Sequence, residues 1–200
     1  MLVLLTGHQG FIGRNLVPVL EAAGHEVERA PDFPSIRTPY DVVIHLGAIS
    51  GVEACAKDPM GAFAANTMQT ADLLEQVRLH SPKARFLFAS SRAVEAVPLS
   101  WYGATKLACE AMLRGYREAF GLRTWALRIG SVYGPHSEQK TSAVAQFIRQ
   151  AMAGSSLTIR GDGAQVRDFI YAPDVAQIIM SLLTLEIPGD PAVVRLIGPE

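Results

Sequence analysis

The chain has 200 residues, 49% apolar and 18% charged, which is enough for one substantial core or for a nucleotide domain with a small extra lobe. That composition excludes disorder, fibres and low-complexity polymers. Lys+Arg at 18 against Asp+Glu at 19 leave a formal charge of -1, so no bulk field favours nucleic acid or anionic lipid, and any partner must be recognised by a local site.

The apolar run Leu2 to Leu5, stopped by Thr6-Gly7, reads as a strand buried on both faces. It lacks a basic flank and is too short for a signal peptide, and no later segment sustains the roughly 18 apolar residues of a membrane span. Phe11, Ile12, Leu16, Val19 and Leu20 recur at helical spacing, and Gly24-His25 ends that helix before a second strand near Glu26 to Ala30. A third strand is read at Asp41 to Leu46, a helix from about Pro59 to Leu79, and a strand at Arg85 to Ala89. A long helix follows from Trp101 to Phe120, then a strand from Thr124 to Ile129. Strands alternating with helices imply parallel βαβ units in an α/β, Rossmann-like doubly wound sheet. Beyond it come a helix at Ala143 to Ala153, a short strand Leu157 to Ile159, the loop Gly161-Asp162-Gly163, a strand Asp168 to Tyr171, a helix Pro173 to Leu185 and a last strand at Val193 to Ile197. The expected division is a cofactor domain over 1–135 and a small, abbreviated substrate lobe over 136–200, interleaved with the end of the sheet.

One connection is short. Only Asp32 to Tyr40 separate the second strand from Asp41, and nine such residues at about 3.3 Å each reach roughly 30 Å, enough to cross the sheet extended but not to build a helix as well. An edge strand and its helix, usual in doubly wound folds, are therefore expected to be missing.

Two motifs carry chemistry. Gly7, Gly10 and Gly13 form a GxxGxxG turn between the first strand and its helix, suited to a tight turn, close approach of backbone to a pyrophosphate, and phosphates at the positive helix end. Tyr102 and Lys106 lie one helical turn apart on one face, where a cation lowers the phenol pKa and makes the tyrosine a usable acid/base. Each has a plain structural counterpart, a glycine turn or a surface tyrosine over a lysine. Their order, with Ser90-Ser91 ending the strand just upstream, makes coincidence remote. Cys55 and Cys109 sit in no CxxC or Cys/His spacing, which implies a reducing compartment, two small core side chains and no metal site.

With Asp41-Val-Val-Ile-His-Leu-Gly-Ala48, Asn66 after Asp58-Pro59, Phe88-Ala-Ser-Ser91, Leu127-Arg-Ile-Gly-Ser-Val-Tyr-Gly-Pro135 and Ile159 to Tyr171 added, the chain resembles the extended short-chain dehydrogenase/reductases of the NAD-dependent epimerase/dehydratase family. The resemblance implies that Ser91 hydrogen-bonds the reacting oxygen, Tyr102 is the acid/base and Lys106 holds the nicotinamide ribose. It implies a pyrophosphate loop of Gly7, Gly10, Phe11, Ile12 and Gly13, a ribose-side turn of Leu46, Gly47 and Ala48, and cofactor contacts from Asn66 and Ser90. Arg167 matches an arginine that clamps a sugar-nucleotide diphosphate, against the alternative of an ion pair with Asp162 or Asp168, and Ser131 stands at a substrate position where asparagine is common. NAD is the expected cofactor, held by Asp32, while Arg29 and Arg37 leave NADP open.

The departures matter. Dehydratases and decarboxylases of this family carry an acid two positions after the catalytic Ser/Thr, but Ser91 is followed by Arg92 and Ala93, which argues for epimerisation or simple redox chemistry. The usual Val-Tyr-Gly has become Val94-Glu-Ala96, and the loop to Trp101 is shortened. What the resemblance implies is a nucleotide-sugar epimerase with UDP-glucose as the expected substrate. The alternatives are an NAD(P)-dependent reductase or dehydrogenase, and a cofactor-binding protein without turnover. It further implies a homodimer, for which Leu73, Leu74, Val77, Met112 and Leu113 supply apolar stripes that core packing explains equally well, while the charge balance and the lack of a long apolar segment lead to the expectation of a cytoplasmic protein with no nucleic acid or membrane partner. The abbreviated lobe means either a chain that stops short of a longer protein or a smaller, more loosely held substrate.

Overall fold

The computed structural model describes residues 1–30, 35–138, 140–159, 161–185 and 193–196. In chain order these form β1 (Leu2–Thr6), α1 (Phe11–Ala22), β2 (Glu26–Arg29), β3 (Val42–His45), α2 (Val52–Lys57) and α3 (Pro59–Phe63). A single π-helical turn (Ala64–Met68) leads into α4 (Gln69–His80), then β4 (Arg85–Ser91), a 3₁₀ turn (Arg92–Glu95), α5 (Trp101–Phe120) and β5 (Arg123–Ile129). The rest is β6 (Ser131–Tyr133), α6 (Ala143–Met152), β7 (Phe169–Tyr171), α7 (Ala172–Leu182) and β8 (Val193–Leu196).

Six strands pair in parallel in the order β2-β1-β3-β4-β5-β8. The apolar runs are continuous because both faces are covered, and the alternation of side chains along each strand sorts them into two layers. Val3, Leu5, Ile44, Leu87 and Leu127 face Leu16 and Leu20 of α1 and Val175 and Ile179 of α7. Leu4, Val43, Phe86, Phe88 and Ala126 face Leu73, Leu74 and Val77 of α4 and Cys109 and Leu113 of α5. Truncating a fully buried leucine such as Leu16 or Leu74 to alanine costs about 2–5 kcal/mol. Among the described residues no helix is long and apolar enough to cross a membrane.

As the short connection implies, β2 is the edge strand, and the chain passes from it to β3 on the far side of β1. The strand order therefore reverses between β1 and β3, and a crevice opens there above their carboxyl ends. Three expectations are corrected. Leu157 to Ile159 is no strand: Leu157 and Ile159 are more than half exposed, and the Thr158 N–H bonds the Gln150 side chain instead of a ladder partner. The helix read over Pro59 to Leu79 is interrupted by the π turn, which carries Asn66 and Thr67 inward. A strand not foreseen, β6, pairs with β7 in a separate two-stranded sheet, since three residues leave no periodicity to read.

Candidate active site

The glycine loop ends β1 and opens α1. Gly7 turns at φ +69, where a Cβ would lie 2.6 Å from the Gly47 nitrogen, and a Cβ on Gly13 would lie 2.3 Å from the Gly7 carbonyl oxygen, so the loop is bare backbone packed against the turn after β3. The first turn of α1 holds no acidic residue and its N-cap, Gly10, offers no side chain to the free N–H groups. That combination suits an anion, and the cradle fits a dinucleotide pyrophosphate.

Ser91 ends β4, where its Oγ accepts from the Ala93 N–H (3.1 Å) and starts the 3₁₀ turn. Tyr102 lies in the first turn of α5, capped by Ser100 Oγ, which accepts from the Gly103 N–H (3.1 Å). A Cβ on Gly103 would lie 2.4 Å from the Ala93 carbonyl oxygen, so only glycine lets the first turn of α5 press against the 3₁₀ turn. That contact sets the phenol in the crevice that Ser91 also lines. Lys106, one turn further on, is buried, donates to the Ala89 carbonyl (2.8 Å) and lies 4.6 Å from the Phe88 ring centroid.

The electrostatics differ from expectation. Burial pushes the Tyr102 phenol above its ordinary pKa, the Ser91 hydroxyl opposing the shift, while the Lys106 ammonium is held at the Ala89 carbonyl. Burial lowers Lys106 to about 8, so it keeps most of its charge at neutral pH. With the protein alone, Tyr102 is a protonated acid awaiting a base-making charge.

The crevice brings together Gly7, Gly10, Phe11, Ile12, Gly13, Leu46, Ala48, Ser90, Ser91, Tyr102 and Lys106. Gly47 contributes from behind, its N–H donating to Thr6 Oγ1 (3.1 Å). Asn66, expected among the cofactor contacts, is corrected to a holding role. It is buried, its Oδ1 accepting from the Ile49 N–H (2.8 Å) and its Nδ2 donating to Ile49 O (3.0 Å) and Thr105 Oγ1 (3.1 Å), so its amide is spent on tying the loop after β3 to α5. Ser131 pairs through its backbone with Asp168 (3.0 Å) and does not line the crevice. Arg167 is exposed and lies in a second groove with Phe147 and Phe169, where it donates to the Val166 carbonyl (2.8 Å). Asp168 pairs instead with Arg92, and Asp162 accepts from the Ala164 N–H (3.0 Å). Asp32 lies outside the described residues.

Two supporting groups escaped the sequence reading. Glu110 accepts from Ser90 Oγ (2.5 Å) and takes a two-pronged bond from Arg128, Nε to Oε1 at 3.0 Å and a terminal nitrogen to Oε2 at 2.6 Å. Arg128 also reaches Glu95 (2.9 Å), which Arg195 of β8 shares (2.9 Å). These bonds pin α5, β4, β5 and β8 together under the serines. His45, polar in the middle of an apolar strand, is the only signal the sequence offered for the other group. Its Nδ1 accepts from the Thr6 hydroxyl (2.6 Å), which in turn accepts from Gly47, and its Nε2–H donates to Thr70 (3.0 Å), whose hydroxyl donates to Asn66 O (2.6 Å). Burial, with the Lys106 charge, lowers its pKa to about 3, so the ring stays neutral and the chain of donors keeps one direction.

Comparison with known proteins extends this. The NAD dependent epimerase/dehydratase family matches residues 30–194. An uncharacterised UDP-glucose epimerase, YtcB, of Bacillus subtilis is 36% identical over 76% of this chain and 52% of its own length. A UDP-glucuronate 4-epimerase of Thermodesulfobacterium geofontis is 30% identical over 73% of this chain and 50% of its own. The chain thus spans about half the length of these two relatives. Among solved structures, UDP-glucuronic acid 4-epimerase of Bacillus cereus, in complex with UDP-glucuronic acid and NAD, superposes with a TM-score of 0.86 at 28% identity, covering 100% of this chain and 78% of that one.

Proposed function

From the premise that this chain belongs to the NAD-dependent epimerase/dehydratase family, we propose that it is an NAD-dependent nucleotide-sugar 4-epimerase acting on a UDP-hexose, UDP-glucose first. The observation that carries the reading is the convergence of Ser91, Tyr102 and Lys106 with a bare glycine loop in one crevice at the strand-order reversal. NAD, when bound, supplies reversible hydride acceptance at the sugar C4. The loop of Gly7 to Gly13 holds its pyrophosphate and Lys106 its nicotinamide ribose. Arg29 is committed to Glu21 (2.5 Å), which leaves it poorly placed to meet a 2′-phosphate and favours NAD over NADP.

Tyr102 Oη takes the C4 hydroxyl proton and returns it from the same atom, while Ser91 Oγ donates to the C4 oxygen in both directions. For Tyr102 to act as a base, its raised pKa must come down, and a positive charge bound beside it has that sign. With Arg92 and Ala93 following Ser91, and Arg92 engaged with Glu95 (3.5 Å) and Asp168, no free acid stands at the place that elimination requires. The groove of Phe147, Phe169 and Arg167 takes the nucleotide diphosphate, so 136–200 forms the substrate side and 1–135 the cofactor side, with β8 returning to the main sheet. The same reading includes a cytoplasmic location and a homodimer. Leu73, Leu74, Val77 and Leu113 are buried within the protomer, so the pairing face is the outer side of α4 and α5, where Leu79 (55% exposed) and Leu107 (40%) lie.

The test is incubation of the NAD-loaded protein with UDP-glucose and, separately, UDP-glucuronate, followed by proton NMR of the sugar. Appearance of the galacto epimer without net reduction of NAD supports the proposal. Stoichiometric NADH formation would make it a dehydrogenase, and no turnover of either sugar by protein that binds NAD would reduce it to a binding protein.

A further inference from the structure

Lys140 also lines the crevice, yet neither the glycine loop nor the Ser91, Tyr102 and Lys106 set accounts for it. It is delivered by the segment between β6 and α6, whose described residues are tied down at several points. Asn15 Nδ2 donates to Pro135 O (3.0 Å), Arg149 donates to Glu138 O (3.0 Å) and Lys140 O (2.8 Å), and the Lys140 N–H closes a turn on Ser137 O (2.9 Å). The ammonium is therefore presented by a tethered strap rather than by a swinging surface chain. Its Nζ lies 3.2 Å from Ser50 Oγ in the loop after β3 and 5.9 Å from the Phe11 ring centroid in the glycine loop, so the strap reaches both walls of the crevice.

Partial burial pulls the Lys140 pKa below the ordinary lysine value, and among the described residues no carboxylate opposes that shift. A hydroxyl and a ring face are weak compensation for a desolvated cation. The nearest feature built for negative charge is the uncapped first turn of α1, which contains Phe11. We infer that Lys140 binds a phosphate oxyanion of the ligand lying on the glycine loop, completing an ion pair that the protein alone leaves open. This rests on the cofactor reading above. The oxyanion belongs either to the dinucleotide pyrophosphate or to the diphosphate of the nucleotide sugar.

Calorimetric titration of the full chain with ADP-ribose and, separately, UDP distinguishes the two sources. Lys140→Gln is expected to weaken one or both by about tenfold and to flatten the salt dependence of that binding, as loss of a charge-assisted contact requires. Lys140→Arg should hold affinity within about threefold, and the same ionic change at exposed Lys83, Lys83→Gln, should leave both constants alone. If wild type binds ADP-ribose or UDP and Lys140→Gln matches it within about twofold, Lys140 is no ligand and the cofactor reading stands. A lowered melting temperature of the ligand-free variant with unchanged affinities likewise overturns the inference, assigning Lys140 to the strap alone. Failure of wild type to bind either probe removes the cofactor reading and this inference together.

Discussion

Replacing Gly103 by alanine tests how finely the first turn of α5 is placed. The added Cβ would lie 2.4 Å from the Ala93 carbonyl oxygen and 2.8 Å from Leu99 Cδ1, so helix and 3₁₀ turn must part by at least about 0.6 Å to restore a 3.0 Å approach. Leucine can swing aside, but the carbonyl is backbone and cannot. Overpacking of this kind costs about 1–3 kcal/mol, of which about 1 kcal/mol is offset by the better helix propensity of alanine. The net stability loss is therefore small. Tyr102 is the neighbouring residue and its phenol must meet both Ser91 and substrate, so a shift approaching 1 Å there lowers turnover by about 10²-fold. The assay pairs 4-epimerisation rates with chemical denaturation and NAD titration. A fall in kcat, near-native stability and NAD affinity within about threefold is the expected pattern, because the glycine loop belongs to β1 and α1, which the clash between Gly103 and Ala93 does not involve. Full activity in a folded Gly103→Ala protein would refute the claim that this contact positions the tyrosine.

Tyr102→Phe is expected to lose about 10²–10⁴-fold in turnover while still binding NAD, measured by single-turnover kinetics and titration. Glu110→Ala leaves Arg128, whose side chain is 18% exposed, with Glu95 alone and frees the Ser90 hydroxyl, so a stability loss of about 1–3 kcal/mol is expected in urea unfolding. A loss below about 1 kcal/mol would show the pair to be ordinary surface charge. His45 has a folded pKa of about 3 against 6.5 for the free group, so the unfolded chain takes the proton first, and stability present above pH 6.5 is lost as pH falls towards 3. Denaturation midpoints over that window should fall for wild type and flatten for His45→Gln, and parallel curves would refute the buried neutral ring.

The alternating strands and helices were legible because a parallel sheet covered on both faces demands apolar runs such as Asp41 to Leu46, and the place of β2 at the edge among the described strands was legible from the length of one connection. Short elements were not. β6 has three residues, and Leu157 to Ile159 carries strand-like residues but pairs with no strand among the described residues, and pairing is a property of two segments rather than one. The π turn resembles uninterrupted helix in any periodic reading, yet it decides that Asn66 holds Ile49 and Thr105 instead of a ligand.

By itself the sequence determined the chemistry on offer: a glycine turn for an anion, a Ser, Tyr and Lys set in chain order, and no acid beside Ser91. Such local patterns survive because a turn or a helix face is set by neighbouring residues. The tertiary structure alone decided the charges and the supports. Burial raises the Tyr102 phenol, Arg128 and Glu110 brace the serines from 18 residues apart, and Lys140 arrives from a strap 90 residues beyond Ser50. Desolvation and ion pairing depend on what the folded chain brings within a few ångströms, and spacing along the sequence carries no record of that.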